Sequence, residues 1–336
     1  MASKRTSTAR QTAEIITTYS WAYRYSIVIL TANRLRIFDA LAAKPVTARS
    51  LAHRSGLDVR ALTILLDALT AMGLVVKEKQ RYRCPRDVSR YLAKDSPDYQ
   101  GNILDHRFNL LQHWVHLPEV VTGGGPAPSR RRRRGRRQHR DFILAMANIA
   151  RTAARALAEA IDIDRYNRLL DLGGGPGTYT IALCSANTHL TATLYDLPET
   201  EGIAREEIRR AGLGERITFT GGDYLHDPLG NGYDLVLASN IIHSLSLAQT
   251  ESLMRNARRA MIPGGTIIIK EFYLDESRTG PLDSALFAVN MLVGTAGGNA
   301  YTPSEIKRAL KKAGFSAIRM RRLDDRSALY TARNPK

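Results

Sequence analysis

The sequence predicts an α/β protein with a doubly wound, mostly parallel sheet that ends in an antiparallel hairpin, preceded by a smaller, mainly α domain. Two observations support this fold class. From Tyr166 onward, strand patterns alternate with helical patterns, which is typical of parallel β-α units. Before residue 98 the order is instead helix, glycine turn, helix and short ribbon, which is typical of a winged helix. At 336 residues and 44% hydrophobic composition, the chain can bury one large core and one smaller core.

Four segments are predicted along the chain. Residues 1–12 are polar and basic, and we expect a disordered tail there. Residues 13–98 form the winged-helix domain, and residues 99–160 form a helical connector with an arginine-rich loop at 123–140. Residues 161–336 form the Rossmann-like sheet domain.

The second helix of the winged-helix domain, predicted at 59–72, does not look like a DNA-reading helix. Its first ten residues contain one basic side chain, Arg60, and no Asn or Gln that would read base edges. We therefore predict that this domain packs against protein and forms a homodimer, with no specific nucleic acid as partner. A DNA-binding regulator stays open as the less favoured interpretation.

The net charge of +17 is concentrated in one place. Eight arginines fall within Arg130–Arg140, directly after the run Gly123-Gly124-Gly125-Pro126-Ala127-Pro128-Ser129, which is unable to hold a helix. No aromatic residues are interleaved with the charges, so stacking on bases is not indicated. We interpret this segment as a solvated loop, with an accessory role at phosphates or a membrane surface as the alternative.

Composition also excludes several classes of protein. No apolar run approaches the ~20 residues needed to span a bilayer, and the first residues lack the apolar segment of a secretory signal. Cys84 and Cys184 are far apart and match neither a disulfide framework nor a metal site. We expect a cytoplasmic protein without a membrane span or a bound metal.

Strand patterns with helices between them fill the sheet domain. The predicted strands are 168–172, 190–196, 216–220, 233–238 and 266–272, followed by 317–321 and 327–332. The predicted helices include 198–211, 247–261 and 303–313. In such a sheet the functional residues lie in the loops after the carboxyl ends of the strands.

The loop after the first of these strands is rich in glycine, with the spacing Gly173-x-Gly175-x-Gly177. Glycine accepts positive φ and lets a ligand lie against the backbone. The dinucleotide fingerprint requires Gly or Ala at the position that Thr178 occupies. The loop therefore favours an adenosine with an amino-acid tail over a diphosphate, and indicates a methyl-donor site.

Acidic residues follow the next two strands. Asp196 lies about 20 residues past the glycine loop, as a carboxylate that binds ribose hydroxyls requires; the alternative is a cap on the helix at Pro198. Asp223 is placed to accept from an adenine amino group, with Tyr224 packing beside the ring. A plain turn is the alternative at that position.

A histidine and a carboxylate follow the fourth and fifth strands. If these strands adjoin, His243 and Glu271 emerge side by side. Glu271 would then hold one ring nitrogen and leave the other to take a proton, as in a general base. The alternative is a structural histidine in a loop.

Together these motifs resemble the S-adenosylmethionine-dependent O-methyltransferases of the caffeic acid and hydroxyindole type, over nearly the whole chain. The segments that match are 170–177, Asp196-Leu197-Pro198, Gly222-Asp223, Ile242-His243 and Pro263-Gly264-Gly265. The resemblance implies a winged helix that dimerises and S-adenosyl-L-methionine as cofactor.

The resemblance also implies roles for individual residues. Its catalytic residues are His243, as the base, and Glu271, as the carboxylate that flanks it. The cofactor-binding positions are Asp171, Gly173, Gly175, Gly177, Asp196, Leu197, Asp223, Tyr224 and Ser239. The positions that contact an aromatic acceptor are Met146, Asn290 and Met291; thioethers are polarisable and suit such contacts.

Three positions depart from the family pattern. Ser244-Leu245-Ser246 stands where Asp-Trp-Ser-Asp usually follows the histidine, and Ser239 replaces a common lysine near the donor carboxylate. Ala300 stands where plant members place a second acid. We predict methylation of a hydroxyl on a small, aromatic or polycyclic metabolite. Methylation at carbon, nitrogen or sulfur and a catalytically idle partner subunit are the alternatives.

Overall fold

The computed structural model describes residues 2–127 and 135–335. Residues 128–134 of the predicted arginine-rich loop 123–140, which include Arg130 to Arg134, lie outside the described residues, and residues 136–140 of it belong to a helix. The chain divides into two compact units, Met1–Asn109 and Leu110–Lys336. The boundary falls inside the segment 99–160 that the sequence predicts as a connector.

The first unit begins with two helices, α1 (Ala2–Trp21) and α2 (Tyr23–Arg34). Helix α1 covers the residues for which the sequence predicts a disordered tail. The segment contains no glycine or proline, and several of its residues, alanine and arginine among them, favour helix. From Arg10 to the end of α1 every residue is exposed.

The rest of the first unit has the predicted winged-helix order. Its elements in chain order are helix α3 (Ile37–Ala43), strand β1 (Val46–Thr47), helices α4 (Ala48–Ser55) and α5 (Val59–Ala71), strands β2 (Val76–Glu78) and β3 (Arg81–Arg83) and helix α6 (Arg86–Leu92). The strands form an antiparallel sheet in the order β1-β3-β2. Gly56, at φ 64°, ends α4, and the Asp58 carboxylate caps α5 by accepting from the Ala61 amide at 2.7 Å.

Three helices lead to the sheet: α7 (Gly101–Trp114), α8 (Leu117–Gly123) and α9 (Arg136–Ala160). The sheet strands are β4 (Arg168–Leu172), β5 (Thr191–Asp196), β6 (Ile217–Gly221), β7 (Tyr233–Ser239), β8 (Met261–Phe272), β9 (Ser316–Arg322) and β10 (Ser327–Arg333). The helices among them are α10 (Thr178–Ala186), α11 (Glu201–Arg210), α12 (Leu247–Ala260), α13 (Leu282–Gly294) and α14 (Pro303–Lys312).

The seven strands form one sheet in the order β6-β5-β4-β7-β8-β10-β9. The first five are parallel, and β10 pairs antiparallel with both β8 and β9. This confirms the predicted fold class. Strand β8 begins five residues earlier than predicted and takes in the Pro263-Gly264-Gly265 turn, where Gly264 adopts φ 81°.

The order of the strands decides where the site lies. The chain runs outward from β4 to β6 and then returns to the other side of β4 with β7, so the strand order reverses at β4 and β7. A crevice forms at such a reversal, outside the carboxyl ends of the strands. Apolar clusters cover both faces of the sheet, with Val236 and Ile267 in one and Leu237 and Ile268 in the other.

None of the helices in the described ranges is long and apolar enough to cross a lipid bilayer.

Candidate active site

The glycine loop lies at the reversal point between β4 and α10. Gly173, Gly175 and Gly177 have φ values of 62°, 58° and 82°, which residues other than glycine rarely adopt. A Cβ at Gly173 would lie 2.7 Å from Ile241 Cγ2. A Cβ at Gly175 would meet nothing within 4 Å. The loop is therefore packed on one side and open above Gly175, so a ligand can approach the backbone there.

Asp196, at the end of β5, is tied directly to this loop. Its Oδ2 accepts from the Gly175 amide at 2.7 Å, and its Oδ1 accepts from the Leu197 amide at 2.7 Å and the Thr200 hydroxyl at 3.0 Å. Burial raises the pKa of Asp196, while these donors lower it. Thr200 is in turn 3.2 Å from His139 Nε2 on α9. No pattern in the sequence indicated the contact with His139.

Asp171 lies beneath the loop instead of at its surface. It is 1% exposed, and it accepts from the Thr180 hydroxyl at 2.6 Å. A Cβ at Gly174 would lie 2.8 Å from Asp171 Oδ2, so the carboxyl group fills the space under that glycine. Burial raises the pKa of Asp171 to about 7. Its position supports the loop from below, and any role toward a cofactor passes through the loop.

Asp223 and Tyr224, in the loop after β6, have different surroundings. Asp223 is half-exposed, and its Oδ1 accepts from the Leu225 amide at 2.9 Å. The Tyr224 ring lies against Gly173, at 3.4 Å from where a Cβ would stand, and its hydroxyl bonds to Ser244. Burial raises the pKa of Tyr224. Tyr224 therefore packs beside the glycine loop and the histidine turn, while Asp223 lies in the loop after β6, the edge strand of the sheet.

His243 and Glu271 are side by side, as the sequence predicts for adjacent strands. Strands β7 and β8 are parallel neighbours, and His243 sits in a 3₁₀ turn that begins three residues after β7. His243 Nδ1 is 2.8 Å from Glu271 Oε1, and Glu271 Oε2 accepts from the His243 amide at 3.3 Å. The Glu271 side chain is 0% exposed and that of His243 is 15% exposed. The Nδ1 contact leaves Nε2 of the imidazole for another partner.

Two phenylalanines that the sequence analysis did not single out flank this histidine. The ring of Phe287 stands edge-on to His243 with centroids 4.9 Å apart, and that of Phe272 does so at 5.7 Å. The two phenylalanine rings stack on each other at 3.9 Å. They give the imidazole an apolar, aromatic surrounding.

Helix α13 brings two of the predicted acceptor-binding residues to the same place. Asn290 and Met291 follow Phe287 by three and four residues, so the three side chains share one face of the helix. Asn290 Oδ1 accepts from the Trp114 indole at 3.0 Å. Met291 is 8% exposed, and Met146 is half-buried on α9.

The departures from the family pattern have clear positions. Ser239 Oγ is buried and has no hydrogen-bond partner within the described ranges. A buried hydroxyl is normally paired, so this atom leaves one bond available to a ligand. Ala300 is fully buried and next to Asn299, whose amide donates to the His243 carbonyl at 2.9 Å. The open backbone at Gly175 and the free Ser239 hydroxyl fit a nucleoside with a polar tail.

Comparison with known proteins agrees with this arrangement. Residues 122–316 match the O-methyltransferase domain, and residues 17–95 match the O-methyltransferase dimerisation domain. The chain is 35% identical to 3-hydroxy-5-methyl-1-naphthoate 3-O-methyltransferase of Streptomyces sahachiroi, over 84% of each chain. It is 32% identical to the tetracenomycin polyketide synthesis 8-O-methyl transferase TcmO of Streptomyces glaucescens, over 94% of this chain and 95% of that one.

A solved structure is similar over almost the full length. Human N-acetylserotonin methyltransferase in complex with SAM superimposes with a TM-score of 0.86 at 26% identity, covering 97% of this chain and 98% of that chain. The family match and the identities apply to both halves of the chain. The chain therefore belongs to the S-adenosylmethionine-dependent O-methyltransferases, with a methyltransferase domain joined to the dimerisation domain of that family.

Proposed function

We propose that this methyltransferase methylates a hydroxyl group on an aromatic or polycyclic small molecule, with His243 as general base. The observation that carries the proposal is the 2.8 Å contact between His243 Nδ1 and the fully buried Glu271 carboxylate. It fixes the ring orientation and leaves Nε2 to accept the proton of the acceptor hydroxyl. The buried carboxylate then stabilises the imidazolium through a charge-assisted hydrogen bond.

The donor is held at the reversal point of the sheet in this proposal. The glycine loop binds the methionine part, Asp196 the ribose hydroxyls and Asp223 the adenine. S-adenosylmethionine supplies an electrophilic methyl group on its sulfonium. The open space over Gly175 and the unpaired Ser239 hydroxyl support this placement. Asp196 holds the loop and is also half-buried at its edge, so its oxygens are shared between the Gly175 amide and a ligand.

The proposal that the acceptor is aromatic is supported by the side chains around His243. Phe272 and Phe287 give a ring surface beside the base, and Asn290 and Met291 lie on the same face of α13 as Phe287. The two curated relatives carry a naphthoate and a tetracenomycin polyketide in their names. A planar, hydroxylated polycycle fits both observations. Aligning the two reactants supplies most of the rate, ~7–11 kcal/mol, and the base adds ~10²–10⁴-fold.

The test is a product assay with methyl-labelled S-adenosylmethionine. Hydroxynaphthoates and polycyclic phenols are offered beside their amino and thiol analogues, and the products are assigned by mass spectrometry and NMR. We expect the label on a phenolic oxygen. A label on carbon, nitrogen or sulfur would replace the O-methyl assignment. S-adenosylhomocysteine binding without turnover on any acceptor would indicate an idle subunit.

We propose in addition that the chain is a homodimer through its first unit. Exposed apolar side chains are concentrated on α1 and α2, among them Ile16, Tyr19 and Tyr25 at 63%, 68% and 65% exposure. A cluster of this kind marks a protein interface. Sedimentation of the purified protein is expected to give twice the mass of one chain. A gel-shift titration that revealed salt-sensitive, sequence-selective DNA binding would favour the regulator instead.

Both cysteines, Cys84 and Cys184, are free and buried. Unpaired thiols suit a reducing compartment, and we propose the cytoplasm as the location.

A further inference from the structure

Lys270, the residue before Glu271, is a buried cation whose role the proposed function does not assign. It is 6% exposed, although it carries an ammonium group. Its Nζ donates to Asn240 Oδ1 at a long 3.4 Å and lies 5.9 Å from the centroid of the Tyr179 ring. An ammonium has three protons to donate. Most of its hydrogen-bonding capacity is therefore unused.

No carboxylate in the described part of the chain forms a salt bridge with Lys270. Asp324 is near enough to feel its charge, but its oxygens accept from Arg326 and Ser327 in the turn between β9 and β10. Burying a charge without an ionic partner costs free energy. An anionic group from outside the chain would therefore stabilise the buried charge of Lys270.

Two hydroxyl groups on the same face of the sheet are also unpaired. Ser239 is the register partner of Lys270 across β7 and β8, so the two side chains point the same way. That face belongs to the cluster that contains Tyr179, Leu237 and Ile268. Like Ser239 Oγ, the Tyr179 hydroxyl is buried without a hydrogen-bond partner in the residues the structure describes.

The location of this group relative to the donor follows from the strand order. Asp223 follows β6, Asp196 ends β5, and the glycine loop follows β4. A donor with adenine and ribose at the first two positions extends its amino-acid tail across the loop toward β7 and β8. Ser239 and Lys270 lie at that end, on the sheet face opposite Glu271, and Tyr179 is in the first turn of the helix after the loop.

We propose that Lys270, with the hydroxyls of Ser239 and Tyr179, binds the carboxylate of the donor's amino-acid tail. Lys270 is a positioning residue here, since it fixes the tail and thereby the methyl group relative to His243. The inference rests on the proposed donor site at the glycine loop. It predicts that removing the charge of Lys270 weakens the binding of ligands that carry this carboxylate and leaves ligands without it unaffected.

The test compares S-adenosylhomocysteine with its decarboxylated analogue, S-adenosyl-3-thiopropylamine, by calorimetry. Lys270→Met keeps the length and volume of the side chain and removes its charge. We expect the wild-type chain to bind S-adenosylhomocysteine more tightly, and Lys270→Met to lose about 10- to 100-fold in its affinity, as for a charge-assisted bond. Affinity for the decarboxylated analogue is expected to be unchanged. Lys270→Arg should keep most of the preference for the carboxylate.

Equal loss for both ligands, or no loss for either, would overturn the assignment. Asp196→Asn is the matched control, because it should weaken both ligands to the same degree. If neither ligand binds the wild-type chain, the donor site itself is wrong, and that outcome is separate from the role of Lys270. Should Lys270→Met fail to fold, Ser239→Ala and Tyr179→Phe carry the test, each expected to weaken S-adenosylhomocysteine alone by about 3- to 10-fold.

Discussion

Asp171 and Thr180 form a buried hydrogen bond of 2.6 Å beneath the glycine loop. The carboxyl group is 1% exposed, and burial raises its pKa to about 7, well above the usual range of an aspartate. The folded chain therefore holds a proton on Asp171 between about pH 4 and pH 7, where the unfolded chain does not. Since the folded state binds more protons in this window, the contribution of Asp171 to stability falls as pH rises toward 7.

The first prediction follows from that linkage. Asp171→Asn removes the ionisation and keeps a carbonyl oxygen that can accept from Thr180. We expect the variant to gain stability over the wild-type chain at pH 8 and to lose most of that advantage at pH 5. The advantage of the variant over the wild-type chain at pH 8 is at most about 4 kcal/mol, because each pKa unit corresponds to ~1.4 kcal/mol. Urea unfolding at both pH values measures it, and an advantage that is equal at both would contradict the buried-acid assignment.

The second prediction concerns the base. His243→Ala removes the group that accepts the acceptor proton, so kcat should fall ~10²–10⁴-fold. Affinity for S-adenosylhomocysteine should stay within a factor of about three, because the contacts proposed for the donor lie elsewhere. His189→Ala is the control, since His189 is exposed and lies just before β5, at the edge of the sheet opposite the strand ends that form the site. Full turnover by His243→Ala on the true acceptor would reject the role of His243.

The third prediction separates charge from shape at Glu271. Glu271→Gln keeps the size of the side chain and an oxygen for His243 Nδ1, but it no longer neutralises an imidazolium. A charge-assisted hydrogen bond exceeds a neutral one by roughly 1–1.5 kcal/mol, so kcat should fall about tenfold. Steady-state kinetics beside a thermal melt make the measurement. A normal kcat in a folded Gln variant would leave Glu271 with a purely structural role.

The fourth prediction uses two glycines with the same backbone strain. Gly175 and Gly212 have φ values of 58° and 70°, and a Cβ at either would meet nothing within 4 Å. An alanine at each should therefore cost a similar ~1–2 kcal/mol of unfolding free energy. Only Gly175→Ala places a methyl group where the donor is proposed to lie, so only that variant should lose affinity for S-adenosylhomocysteine. Equal affinity of both variants for S-adenosylhomocysteine would contradict the proposed position of the donor over Gly175.

The sequence predicted the contacts between strand ends well, and the contacts between distant helices poorly. His243 and Glu271 could be placed together because parallel neighbouring strands end at one edge of a sheet, and their register is set by the fold class. Phe287 was not predicted beside them. It comes from α13, and neither the period of α13 nor its composition says which of its faces turns toward the sheet.

Two other residues were missed for a different reason. Lys270 lies within a strand, directly before Glu271, and no spacing rule in a sequence identifies a buried lysine. The Thr180 partner of Asp171 is hidden in the same way, because it lies inside a helix that otherwise carries only packing residues. Burial is a property of the folded chain, so polar residues of this kind become informative only when the structure is known.

The shared face of α13 has a consequence for enzyme engineering. Phe287, Asn290 and Met291 belong to one short helical segment, whereas the residues proposed to hold the donor are spread over the ends of other strands. We therefore expect that exchanging this single segment for that of a relative changes which ring system is methylated and leaves the use of the methyl donor intact. A library confined to the codons of Phe287, Asn290 and Met291 tests this expectation.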